Sequence, residues 1–149
     1  MRVEEVPDRI VVDASLGLKW VMIEEHSDRA VALGPGRELL TSALFWAESG
    51  NAIATRVRRG DLDDAQAQQA FRDLQVVPLQ TRPLDGTSVT AALAIARDLL
   101  HPIYDCCYLA LAMEENSVVV TADRRFRAAV AKHPLLADRV LLLRDIVLQ

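Results

Sequence analysis

Cysteine is scarce in this chain, and its two cysteines, Cys106 and Cys107, are adjacent. Neighbouring positions on a helix point about 100° apart, which suits neither a disulfide nor a shared metal between them. A disulfide-built secreted fold is therefore not indicated, and the reducing cytoplasm is the expected setting. No apolar run reaches the roughly 18 residues that a membrane-spanning helix needs. The opening Met1-Arg-Val-Glu-Glu-Val-Pro carries no apolar stretch of the kind a secretory signal requires. Positive charge is not in excess either: 17 Lys and Arg against 21 Asp and Glu give a formal charge of −4. Bulk charge alone therefore cannot hold nucleic acid, although local basic patches can. Repeats, low-complexity tracts and long linkers are also missing.

What the chain does have is enough apolar material for one core. It has 149 residues, of which 51% are hydrophobic and 26% charged, and it reads as one domain spanning 1–149. Apolar runs that predict buried strands lie at 10–13, 38–41, 117–123 and 140–143, and 76–79 reads as an edge strand because Pro78 cannot donate to a ladder. Helical spacing fills the intervals. Ser15 is expected to cap the first helix. Gly60 should stop the helix that starts near Ser42, Asp61 or Asp63 should cap the next, and Thr87 or Ser88 should open the alanine-rich helix before His101-Pro102. Strands alternating with helices predict an α/β fold, a three-layer α/β/α domain around a mainly parallel sheet.

This alternation makes particular acids comparable. Asp13 follows "IVV" and Asp123 follows "VVVTA", so both are expected at the C-terminal edge of the sheet, where open α/β folds bind ligands. Glu48 and Asp105 stand within otherwise apolar helical stretches. Asp105 alone could serve the helix dipole and Asp123 alone could cap a helix. Glu48 has no capping role, and Leu44, Phe45, Asn51 and Ala52 occupy the positions where a basic partner would stand. Four carboxylates at one edge would repel one another and raise their own pKa values, a conflict that a divalent metal removes. Oxygen-only ligands suit Mg²⁺ or Mn²⁺, and no His/Cys set of the kind zinc prefers is present. Hydrated Mg²⁺ or Mn²⁺ held by a few acids serves in-line attack of water on a phosphodiester.

At these residues the sequence resembles the PIN-domain family, in particular the VapC-like ribonuclease toxins of VapBC toxin–antitoxin systems. The resemblance rests on "VVDASLGLKW" (11–20), "SALFWAESGNAI" (42–53), "PIYDCCYLALA" (102–112) and "VVVTADRRF" (118–126), in the family's order and over nearly the whole chain. It implies a Mg²⁺- or Mn²⁺-dependent endoribonuclease and a homodimer, silenced by a cognate antitoxin whose C-terminal segment covers the site. Position by position, it maps the metal-binding and catalytic acids to Asp13, Glu48, Asp105 and Asp123, with Ser15, Asn51 and Thr121 in support. Arg124, Arg125 and Phe126 stand where some relatives carry a further acid.

Under this reading Asp13, Glu48 and Asp105 hold the metal while Asp123 completes the site and orients water. RNA contacts are expected from Arg56, Arg58 and Arg59 at the end of the Glu48 helix, and from Arg124, Arg125, Arg127 and Lys132 around the helix after Asp123. His26, His101 and His133 show no partner at useful spacing and read as surface or turn residues. Trp20 and Trp46 read as packing. The helices around Leu44–Thr55 and Ala65–Phe71 could offer a partner helix an apolar groove. A phosphatase of the haloacid dehalogenase type would need an acid at position 15, which is serine. The other alternative is a catalytically silent PIN-like module that binds RNA or protein, which would have no use for four clustered carboxylates.

Overall fold

In the computed structural model, which describes residues 1–149, five short parallel strands stack in the order β3-β2-β1-β4-β5. They are β1 (Arg9–Val12), β2 (Glu38–Ser42), β3 (Leu79–Arg82), β4 (Val118–Thr121) and β5 (Val140–Leu142). Unbroken apolar runs form the central pair because a parallel sheet covered by helices buries both faces of its strands. Ile10, Val11 and Val12 are fully buried and pair with Val118, Val119 and Val120. Seven helices fill the intervals: α1 (Ala14–Val21), α2 (Ser27–Leu33), α3 (Leu44–Arg58), α4 (Asp64–Val76), α5 (Gly86–Leu99), α6 (Ile103–Glu114) and α7 (Arg124–Ala131).

Right-handed crossovers decide which face each helix covers. The steps from β1 to β2 to β3 run one way along the sheet and carry α1–α4 to one face. The steps from β3 to β4 to β5 run back and carry α5–α7 to the other. The outcome is the three-layer α/β/α architecture. At the C-terminal ends of β1 and β4 the chain leaves in opposite directions, so a crevice opens between two adjacent strands. Asp13 and Asp123 are the residues found there.

Three local expectations need correcting. Asp13, not Ser15, caps α1: its side chain accepts from the Leu16 amide. The edge strand begins at Leu79, after Pro78, instead of ending there, because a chain lacking one amide donor joins the ladder only beyond it. Asp85 caps α5 in a reciprocal box with Ser88, which displaces the start of that helix upstream of Thr87. As expected, Gly60 at φ 81° closes α3 and Asp63 caps α4, while the 117–123 strand shortens to Val118–Thr121 and α3 starts at Leu44.

One close approach fixes the spacing of α1 and α3. A Cβ on Gly17 would lie 2.5 Å from the Phe45 ring. Gly17 is one turn after Asp13, and Phe45 is one turn before Glu48.

Candidate functional site

Asp13 is 3% exposed and owes its position to a web of hydroxyls. Ser15 Oγ donates to its Oδ1 at 2.7 Å, and Thr121 Oγ1 donates to its Oδ2. Ser15 Oγ also accepts from the Ala122 amide at 2.9 Å, and Thr121 Oγ1 accepts from the Asp123 amide at 3.0 Å. Two β–α junctions are thus tied through their site residues. Burial pushes the Asp13 carboxyl from its ordinary 3.8 up to about 7, against the opposing pull of the Ser15, Thr121 and Leu16 donors; the Asp105 charge adds to the rise.

Glu48 projects from the middle of α3, and its Oε1 accepts from Tyr108 Oη at 2.6 Å. Burial raises its pKa, the Tyr108 hydrogen bond opposes that, and the charge of Asp105 adds to it. Asp105 lies in the first turn of α6 and is also raised, by burial first. A hydrogen bond from His101 opposes this rise, and the Asp123 charge adds to it. Asp123 caps α7, its Oδ1 accepting from the Arg125 and Phe126 amides. Asp105 therefore links the set: its charge acts on Asp13 and Glu48, and that of Asp123 acts on it.

The four acids share one electrostatic neighbourhood without forming a ready coordination shell. No three Asp, Glu, His or Cys side chains stand close enough to hold one ion as they are placed. Nor does a permanent cation neutralise them. Every lysine and arginine ion pair in the molecule goes to another acid, and Asp105 has only His101. Four buried or half-buried carboxylates with no lysine or arginine partner offer the oxygen donors that a hard divalent ion prefers.

The remaining expected residues divide. Ser15 and Thr121 contact Asp13 directly, whereas Asn51 is exposed and its side chain makes no hydrogen bond to an acid. Arg124, Arg125 and Arg59 are exposed, the first two opening α7 beside Asp123. Arg56 is drawn instead to Glu24, at 2.5 Å. Trp20 and Trp46 are engaged in packing, their indole N–H groups donating to the Ala30 carbonyl and to Thr81. Two contributors were not anticipated. Tyr108 holds Glu48, and His101 holds Asp105 through Nε2 at 2.7 Å. The i, i+4 spacing of His101 and Asp105 was a legible signal for the second.

With this geometry in hand, residues 10–132 match the family described as PIN domain. The chain belongs to the PIN domain family. No curated protein matches this PIN domain by sequence. Solved structures share its fold. FitAcB from Neisseria gonorrhoeae superposes with a TM-score of 0.66 at 18% identity, covering 92% of this chain and 99% of that one. A toxin–antitoxin complex from Klebsiella pneumoniae gives 0.64 at 13% identity, covering 90% and 97%. VapC20 of Mycobacterium tuberculosis, a sarcin–ricin loop cleaving toxin, gives 0.61 at 16% identity, covering 80% and 94%.

Two hollows of this PIN domain lie away from the acids. One, of about 810 Å³, is bounded by Ser42, Arg82, Asp85, Cys107 and Glu115, and none of the four carboxylates lines it. The other, of about 640 Å³, is the apolar groove between α3 and α4, lined by Ile53, Ala54, Val57, Ala67 and Phe71.

Proposed function

We propose that this PIN domain is a Mg²⁺- or Mn²⁺-dependent endoribonuclease and the toxin of a type II toxin–antitoxin pair. The observation that carries the reading is the electrostatic coupling of Asp105 with Asp13, Glu48 and Asp123 near the strand switch point, without a lysine or arginine paired to any of the four. Asp13, Glu48 and Asp105 would hold the ion, directly or through water, and Asp123 would complete the set. When bound, the ion supplies Lewis acidity at the phosphodiester and acidifies water.

The chain's own residues prepare that chemistry. Ser15 and Thr121 fix both oxygens of Asp13, and Tyr108 fixes one of Glu48. Asp123 is left to orient the attacking water, and Arg124 and Arg125, one and two residues further on, would take the RNA backbone, with Arg59 as an outlying contact. The structural relatives solved as toxin–antitoxin complexes support an antitoxin partner. We assign the α3–α4 groove as its seat, because the apolar lining suits the face of an amphipathic helix.

One observation favours a second reading. Since no three acids are drawn together as they stand, a catalytically silent RNA- or protein-binding module fits the same fold. Cleavage of a fluorogenic RNA with Mg²⁺, with Mn²⁺ or with EDTA separates the two, using wild type and Asp13→Asn. Metal-dependent cleavage lost in the variant is the expected result. Equal signal in both proteins, or none in either, removes the nuclease reading.

A further inference from the structure

We propose that His101 is a positioning residue for the acidic site, setting the carboxylate of Asp105 for a divalent cation; this rests on the metal-dependent reading above. His101 Nε2 stands 2.7 Å from Asp105 Oδ2, and the imidazole is 12% exposed. An ionised carboxylate has no proton to give, so Nε2–H is the donor and one tautomer is specified. That bond occupies Oδ2 and leaves Oδ1 free of any protein partner, the arrangement that a monodentate ligand needs.

The ring is held from a second side. It stacks on Phe126 at 5.6 Å between centroids and 25° between planes, and Phe126 is fully buried in α7. Phe126 also gives its amide hydrogen to Asp123 Oδ1. One imidazole therefore sets the first turn of α6, which carries Asp105, against the first turn of α7, capped by Asp123. The chain delivers it as α5 ends: Leu100 caps that helix in the left-handed region at φ 52°, and the His101 amide bonds back to the Ala96 carbonyl at 3.2 Å.

Supporting hydrogen bonds to a ligating group tune metal affinity by about 10- to 100-fold. The test is Mn²⁺ binding by titration calorimetry to full-length wild type, His101→Gln and His101→Phe, with Tm recorded for each. Gln keeps a donor within reach of Asp105, whereas Phe keeps the stack on Phe126 and removes the donor. The expected result is Mn²⁺ affinity about 10- to 100-fold weaker in His101→Phe and largely restored in His101→Gln, with kcat for RNA cleavage falling more than KM rises. Wild-type affinity in His101→Phe overturns the positioning role and leaves the nuclease reading standing. Weakening of equal size in both variants also overturns it, since the donor would then be irrelevant. A wild-type protein that binds no Mn²⁺ overturns the metal-dependent reading and this inference together.

Discussion

A carboxyl titrating near 7 under 3% exposure makes Asp13 the residue where stability and the proposed metal chemistry oppose each other. An unfolded chain releases this proton near pH 4. Between about pH 4 and 7 the folded state therefore binds one proton more than the unfolded state, and stability falls as pH rises. The loss is on the order of 4 kcal/mol at most and is complete above pH 7. Glu48 and Asp105, also raised, act in the same direction. Melting without metal is expected to give a higher Tm at pH 5.5 than at pH 8. Asp13→Asn should flatten that difference, gain on the order of 2 kcal/mol at pH 8, and lower RNA cleavage at least about 100-fold. A Tm that climbs with pH in wild type would contradict this. The four acids were legible as candidates in the sequence because each interrupts an apolar context. That Asp13 itself caps α1 was not, since Ser15 offers the same capping chemistry two residues later and only Thr121, from β4, decides between them. Nor was the role of His101, because it precedes Pro102 and lies outside the helix whose spacing would pair it with Asp105.

Between elements, distances are set by residues that contribute almost no side chain. Gly17 lets α1 lie against the Phe45 ring of α3, and this contact spaces the turns carrying Asp13 and Glu48. Gly17→Ala is expected to cost about 1–3 kcal/mol in urea unfolding, because the buried Phe45 has no free volume to enter. It should also weaken Mn²⁺ binding by separating the two helices. Leu100 offers the opposite case. Leu100→Gly removes a left-handed strain of about 1 kcal/mol and loses no packing, so unchanged or slightly higher stability is expected. A clear fall in urea midpoint would show that the exposed side chain has a structural contact after all. The central strands were plain in the sequence, since runs such as Val118–Val120 have nowhere to go but the middle of a parallel sheet. The edge strand was misplaced because Leu79–Arg82 is only half-buried and carries no apolar run to mark it. Its position follows from pairing with β2, a long-range fact that local spacing cannot express.

For the whole molecule, a formal charge of −4 means that the proposed RNA substrate would be met by a few local cations. Arg124 and Arg125 are exposed at the start of α7. Replacing both with glutamate is expected to raise KM at least about tenfold, with kcat within about threefold, and to flatten the salt dependence of binding. An unchanged salt slope would move the RNA path elsewhere. The order of the sheet carries a last consequence. Thr121 reaches Asp13 across 108 residues of chain, and it does so beside the central β1–β4 pair. A nascent polypeptide still lacking β4 has an unanchored Asp13 and no crevice. Contacts of such sequence separation also form late and slowly. A chain with the proposed nuclease activity would thus gain its site only when its two central strands close.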